Sequence, residues 1–253
     1  MSQLAALLEK LRRKGRLESS GRFALPLEGG QLLELAAAAL ESGAAELDLF
    51  WDAGGLRLEQ EGAIVGVISR APMPERHILD PVLERLRASP IRIDFNRRRI
   101  STGLSFSDAL VCRELGPEAR PSAPFQVARK PRGLVDSRKP APFYALLSLG
   151  RRLFTATAAG TGPPLLLIRR GVVFPKATAL GFPSAAAAVD ADHLALDRTG
   201  LDVLEDDAYR ATLDHVLCEL EDMARELRLL AEQGPGSLKA LAQPVLDCLG
   251  AGP

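Results

Sequence analysis

Histidine, serine and cysteine, which often carry metal binding or nucleophilic catalysis, occur in this sequence without the spacing that either chemistry requires. The three histidines fall in unrelated segments and have no H-x-x-x-H or H-x-x-E spacing, so no metal site is predicted. The candidate serines lack the G-x-S-x-G context of a nucleophile. The cysteines are odd in number and scattered, which indicates neither a disulfide framework nor a zinc site. These residues are His77, His193, His215, Ser105, Ser107, Ser148, Cys112, Cys218 and Cys248.

Glu34 is a carboxylate within an otherwise apolar segment. Residues 31–42 are almost all Leu and Ala, which predicts a helix that is buried on most sides because it lacks a polar face. Glu34 and Glu41 are the exceptions, and Gly43 supplies a C-cap. An acid in such a helix either takes part in chemistry or is structural, with a backbone or arginine partner.

Short elements with β-type patterning follow this helix. The turn Asp52-Ala53-Gly54-Gly55 between two apolar stretches predicts a hairpin. Apolar and charged residues alternate at 91–95, which is typical of a half-buried strand. The predicted elements are strands at 46–51, 56–61, 63–69 and 91–95, and an amphipathic helix at 78–88.

The rest of the chain predicts a mixed α/β arrangement. Six prolines interrupt residues 116–142, so only short extended pieces can form there. A helix with a basic end is also expected near the N-terminus. The predicted elements are helices at 4–16, 141–149, 205–232 and 237–249, and strands at 153–158, 165–174 and 186–190.

An apolar seam runs along the predicted helix at 205–232. Its members recur at alternating steps of four and three, so they form one stripe that must be buried against something. Charged residues beside the stripe suit the choice of a partner by charge. We predict that the seam is an interaction surface, packed either on the protein's own sheet or on another chain. Its members are Tyr209, Leu213, Val216, Leu220, Met223, Leu227 and Leu230.

The composition of the 253 residues excludes several classes of function. Thirty-two basic and 32 acidic residues give a net charge of +0, so no whole-molecule field attracts nucleic acid or an anionic membrane. The apolar runs fall far short of the roughly 20 residues that cross a bilayer. The N-terminus lacks the apolar stretch of a signal peptide. We therefore expect a soluble cytoplasmic protein, and the richness in Ala, Leu and Arg is typical of a high-GC bacterial genome.

Three segments resemble the GHKL ATPases, and within them the ninety-kilodalton heat-shock chaperones. Residues 34–49, ELAAAALESGAAELDL, resemble the first motif, E-L-x-x-N-A-x-D-A-G-A-T-x-I-x-V. Residues 167–174, LIRRGVVF, are similar to the Y-V-R-R-V-F-I strand of the chaperones' middle domain. Residues 189–199, VDADHLALDRT, resemble the V-D-S-x-D-L-P-L-N-x-S signature. The segments follow the family's order, and the similarity covers about 30–62 and 143–203.

This resemblance implies an α+β fold in two parts. A shortened remnant of a GHKL-type α/β sandwich would precede a middle-domain-like α/β module with C-terminal helices. We expect an N-terminal helix and truncated GHKL-like domain at 1–75, the module at 76–203 and the helical segment at 204–253.

The departures from the family pattern fall on its nucleotide-binding positions. In the family, the motif-one Glu positions the attacking water, the Asn binds magnesium, and the Asp of a D-x-G-x-G motif binds adenine. Here only the Glu is kept, as Glu34, and Ala38 offers no oxygen to magnesium. Gln60 stands at the Asp position if Gly62 is the first glycine. The γ-phosphate arginine falls on Gly200, and too few residues follow Gly62 to form a lid.

These losses predict a protein that binds without catalysis. Removing the metal ligand and the adenine acceptor removes about 4–5 kcal/mol, which is on the order of a thousandfold in affinity. We expect no cofactor and no metal, with Glu34 as a vestigial base or a structural acid. The resemblance then implies an ATPase-defective scaffold or adaptor that binds another protein or a second copy of itself. The enzyme alternative is a residual ATP-binding sensor that uses Glu34 and Arg198.

Basic runs near aromatic residues leave a nucleic-acid-binding module as a further alternative. Such runs can form a patch with stacking platforms for single strands, although the neutral net charge argues against it. We predict instead that the arginines at 97–99 pair with acidic surface groups. The runs are 97–99, 129–132 and 138–139, and the aromatic residues are Phe95, Phe125 and Phe143.

Overall fold

The protein forms two compact units in the computed structural model. The first unit comprises residues 1–103 with 170–173, and the second comprises 104–169 with 174–253. The predicted helix at 4–16 and the predicted strand at 153–158 lie outside the described residues. The structure describes residues 29–69, 76–105, 109–117, 124–129, 135–150, 165–176, 180, 185–197, 202–234 and 236–250.

The first unit is built on a five-stranded sheet. Its elements in chain order are α1 (Gly29–Glu41), β1 (Glu46–Asp52), β2 (Gly55–Gln60), β3 (Ala63–Ser69), α2 (Arg76–Glu84), β4 (Arg92–Phe95) and β5 (Arg98–Arg99). The strand order is β3-β2-β1-β4-β5. β1 and β4 are parallel, and the other neighbouring pairs are antiparallel.

The two faces of this sheet differ because side chains alternate along a strand. Leu47, Leu49 and Trp51 of β1 are buried, whereas the alternate residues Glu46, Asp48 and Phe50 are only half-buried. The leucines and alanines of α1 are buried almost throughout, in accord with its lack of a polar face. We call the side of the sheet that carries Asp48 and its neighbours the open sheet face.

The predicted hairpin and third strand are confirmed. β1 and β2 pair through the turn at 53–54, and the Asp52 Oδ1 atom accepts a hydrogen bond from Gly54 N at 2.7 Å. α2 ends at Glu84, earlier than predicted, and turns continue to residue 88. The parallel pairing of β4 with β1 places residues 76–103 in the first unit, whereas the sequence suggested a boundary at 75/76.

The second unit is built on a larger mixed sheet with two C-terminal helices. Its elements are β6 (Leu104–Ser105), β7 (Ala109–Gly116), β8 (Val127–Arg129), β9 (Val135–Pro140), β10 (Ala145–Gly150), β11 (Leu165–Arg169), β12 (Val172–Lys176, of which Val172 and Val173 are assigned to the first unit), β13 (Ala185–Asp190), α3 (Asp207–Gln233) and α4 (Gly236–Gly250). The six-stranded order is β12-β11-β13-β10-β7-β9, and β6 pairs separately with β8. The predicted α+β class is confirmed.

Two predicted elements in this unit are wrong. The segment predicted as a helix at 141–149 contains the central strand β10, which pairs with β7 and β13. All six residues of β10 are buried, so the strand reads as a continuous apolar run that resembles a buried helix. The single strand predicted at 165–174 is instead two strands, because Arg170 and Gly171 adopt positive φ values and form a turn.

The predicted C-terminal helices are confirmed. Asp206 caps the start of α3, where its Oδ1 atom accepts a hydrogen bond from Tyr209 N at 3.0 Å. Gly234 ends the helix and donates its N–H to Leu230 O at 2.8 Å. Within the described ranges, no helix combines the length and apolar character needed to cross a membrane.

Candidate functional site

The positions at 34–62 that the resemblance assigns to nucleotide binding lie in the first unit, whereas Gly200 lies outside the described residues. Ala38 is in α1 and is 5% exposed. Gln60 ends β2, and its Nε2 atom donates a hydrogen bond to Ser42 Oγ at 3.3 Å. Gly62 occupies the turn before β3 with φ of 76°. Glu34 is part of α1, but its side chain lies outside the described set.

Gln60 and Ser42 therefore link the end of α1 to the end of β2. The Ser42 hydroxyl accepts the Gln60 amide and donates to Ala39 O at 2.7 Å. This chain of hydrogen bonds gives a second donor to the Ala39 carbonyl, which also accepts from Ala44 N at 3.2 Å. The Gln60 amide thus has a structural partner at the position that the resemblance aligns with an adenine-binding carboxylate.

The apolar seam of α3 is mostly enclosed within the second unit. Leu213 is half-buried and Leu230 is 37% exposed. α3 packs on β7, β10 and α4, so its own sheet and neighbouring helix cover most of the stripe. The seam members that are buried are Tyr209, Val216, Leu220, Met223 and Leu227.

A buried arginine that the sequence did not predict anchors the same helix. Arg113 of β7 is 0% exposed, and its guanidinium donates to the side chains of Glu219 and Glu226 on α3. It also donates from Nε to Ser137 Oγ on β9 at 3.2 Å. The only signal in the sequence is the spacing of Glu219 and Glu226, which places both acids on one face of a helix.

Lys139 of β9 extends this network along α3. Its Nζ atom lies 3.1 Å from Glu219 Oε2 and 3.2 Å from Asp222 Oδ2. Burial acts to lower the pKa of Lys139, but the hydrogen bonds to these two carboxylates outweigh it and raise the pKa. The network therefore holds α3 on the β7–β9 side of the sheet, and its ionised groups are engaged with each other.

Lys176 forms a second buried contact of this kind. Its Nζ atom donates to Asp202, to Glu205 and to the carbonyl of Val203, each at 3.0 Å. It also lies 5.6 Å from the ring centroid of Tyr209. All three ammonium hydrogens have acceptors, so Lys176 ties the segment before α3 to β12 rather than offering a free amine.

Three carboxylates lie side by side across the open sheet face. Asp48 of β1 is opposite Glu59 of β2 and opposite Asp94 of β4. Asp94 is bound by two guanidinium groups, since its Oδ2 atom is 2.6 Å from Arg92 Nη2 and its Oδ1 atom is 2.7 Å from Arg99 Nε. Across this row of the sheet, three carboxylates are therefore followed by the guanidinium group of Arg99.

These surroundings shift the pKa values of Asp48 and Asp94 in opposite directions. Burial, followed by the charges of Asp94 and Glu46, raises the pKa of Asp48. Burial also acts to raise the pKa of Asp94, but hydrogen bonds from Arg92 and Arg99 outweigh it and lower the pKa. Because Asp94 is 6% exposed and is fixed in two ion pairs, its charge is engaged within the sheet.

The prediction that all three arginines at 97–99 form ion pairs is only partly right. Arg99 forms an ion pair with Asp94. Arg97 and Arg98 are exposed, and their side chains form no ion pair with any residue in the described ranges. The proposed stacking platforms are also wrong in part, since Phe125 and Phe143 are buried. Residues 130–132 lie outside the described residues, and so does the side chain of Arg129.

The two histidines of the second unit pack around one aromatic ring. Phe143 stacks on His193 with 5.7 Å between ring centroids and meets the edge of His215 at 5.3 Å. The Thr212 hydroxyl donates to Ala208 O, so it accepts from His193 Nε2 at 2.9 Å. The side chain of His77 is not described. Among the described residues, no group of His, Cys, Asp or Glu is arranged to hold a metal.

The sequence matches no known protein-family model, and comparison with curated proteins finds no match either.

Proposed function

We propose that this protein is a non-catalytic, cytoplasmic scaffold or adaptor that binds another protein or a second copy of itself. It would be an ATPase-defective relative of the ninety-kilodalton heat-shock chaperones. The proposal rests on the burial of Ala38 and on the hydrogen bond of Gln60. Ala38, which the resemblance aligns with the family's magnesium ligand, is a buried methyl group, and the Gln60 amide is hydrogen-bonded to Ser42.

The ionised groups of the second unit support the same proposal. Arg113, Lys139 and Lys176 are each engaged by carboxylates of the same unit, so their charges stabilise the fold rather than meet a substrate. Catalysis of phosphoryl transfer relies on positioned cations and a metal ion. With these cations engaged, protein binding through the surface is the simpler role.

Calorimetric titration with Mg-ATP and a phosphate-release assay test the proposal directly. We expect neither micromolar affinity nor turnover, and we expect Glu34→Ala to leave both measurements unchanged. The matched control is Gln60→Asp, which restores the acceptor that the family uses for adenine. Micromolar binding by the wild type, with turnover lost in Glu34→Ala, would instead establish a nucleotide sensor.

A further inference from the structure

The hairpin between β4 and β5 presents two arginines whose charges are unpaired within the described part of the chain. Arg97 and Arg98 are exposed and have no ion-pair partner there. The other arginines of this sheet are engaged, since Arg57, Arg92 and Arg99 each pair with a carboxylate. We call Arg97 and Arg98 the hairpin tip.

The backbone at the tip adopts a conformation that favours glycine at one position. Asn96 and Arg97 form the two-residue loop, with φ values of 46° and 67°. Such loops prefer Asn followed by Gly, because both positions require positive φ. Asn96 meets this preference. Arg97 stands at the Gly position, where its Cβ atom makes the backbone conformation strained. Strain of this kind persists where the surrounding structure fixes it, and it clusters at functional sites.

Asn96 also fixes the tip on the sheet. Its Oδ1 atom accepts a hydrogen bond from Trp51 N at 2.7 Å, and its Nδ2 atom donates to Trp51 O at 3.1 Å. The backbone N–H of Asn96 donates to Leu49 O at 2.8 Å. Both Trp51 and Leu49 are buried strand residues. The tip is therefore held in place before any partner arrives, which lowers the entropy lost on binding.

We infer that the hairpin tip docks an acidic segment of a partner protein. Arginine forks bind carboxylates in bidentate pairs. Because Arg57, Arg92 and Arg99 are already bound by carboxylates, the described part of this sheet offers only the two guanidinium groups of the tip, which are too few to follow an extended polyanion such as a nucleic acid or an anionic membrane. The charge pattern fits a compact pair of carboxylates. This inference rests on the proposed function, because it names the chemistry of the partner.

The test uses the full chain and a fluorescein-labelled peptide of alternating Asp and Gly, with fluorescence anisotropy read at low and at physiological salt. We expect binding that weakens with salt, and Arg97→Ser/Arg98→Ser should weaken it about tenfold. The control Arg210→Ser/Arg225→Ser removes the same charge from two exposed arginines on α3. It should change the affinity by less than about twofold.

A second variant separates binding from stability. Arg97→Gly relieves the strained loop, so the protein should melt at a higher temperature while its affinity for the peptide falls. Equal losses in both double variants would overturn the inference, because the binding would then follow net charge alone. Tighter binding of a labelled single-stranded DNA that also depends on the tip would assign it to nucleic acid and overturn the inference. If the wild type binds neither the acidic peptide nor Mg-ATP, the inference about the tip is overturned but the proposed non-catalytic function stands. The two proposals can therefore fail independently.

Discussion

Arg113 Nη1 lies 2.7 Å from Glu219 Oε2 and joins a strand in the middle of the chain to the last third of the sequence. The guanidinium is fully enclosed, whereas the Glu219 side chain retains 15% exposure. Charges removed from water need good partners, and removing one partner leaves the other uncompensated. This pair therefore fixes where α3 docks on its sheet.

Replacing Arg113 should destabilise the second unit strongly. We expect Arg113→Met to lower the free energy of unfolding by about 3 kcal/mol, because two carboxylates lose their buried partner. Urea unfolding followed by circular dichroism measures the change. Arg210→Met, which breaks an exposed ion pair with Asp207, should cost less than about 1 kcal/mol. A similar loss for both variants would show that Arg113 has no special role.

The apolar seam gives a prediction about its own packing. Leu220 is 0% exposed, so Leu220→Asp should bury an unpaired carboxylate and unfold the second unit. Leu229 on the same helix is 48% exposed, and Leu229→Asp should leave the protein folded. Circular dichroism and light scattering distinguish the outcomes. A folded monomer for Leu220→Asp would mean that the seam is buried by another chain instead.

Replacing Asp48 or Asp94 by Asn should change the free energy of unfolding in opposite directions. At neutral pH, Asp48→Asn should stabilise the first unit by about 0.5–1 kcal/mol, because it removes like charges from directly opposite positions. Asp94→Asn should destabilise it by about 1–3 kcal/mol through loss of charge-assisted hydrogen bonds. Urea unfolding at pH 7 provides both values.

The pH dependence of the two variants follows from the pKa shifts. The pKa of Asp48 is raised on folding, so its unfavourable contribution develops as pH rises from 3.8 through the folded pKa. The benefit of Asp48→Asn should therefore disappear in acid. The pKa of Asp94 is lowered, so its stabilising contribution is present above 3.8 and is lost as pH falls through the folded pKa. The reverse trends would contradict the assigned surroundings.

The raised pKa of Tyr144 predicts that the protein loses stability at alkaline pH. Burial, followed by the negative charge of Glu114, raises the pKa of Tyr144 from 10.0 to about 12. The folded state therefore keeps the phenol protonated where the unfolded state ionises it, and stability falls as pH rises from 10 to about 12. Ultraviolet absorbance of tyrosinate during a pH titration reports the ionisation. Tyr144→Phe should show a smaller loss of stability over the same interval.

Local patterns were sufficient for the elements whose residues interact over a short stretch of chain. The Leu and Ala run identified α1, and Asp52 to Gly55 identified the β1–β2 hairpin, because turn and helix preferences act within a few residues. The steps of four and three identified α3 for the same reason. The charge alternation at 91–95 marked β4, although the short pattern could not show which strand it joins.

Contacts between residues that are distant in sequence determined the remaining elements and the buried ion pairs. β10 is a strand because β7 and β13 flank it, and a buried apolar run carries no local signal that separates a central strand from a helix. Arg113 becomes buried only when β7 pairs with β9 and α3 brings Glu219 and Glu226 onto that side. The sequence by itself determined that the α3 seam must be buried. Only the tertiary structure decided that its own sheet and α4 cover it, because that depends on which surfaces meet after the chain folds.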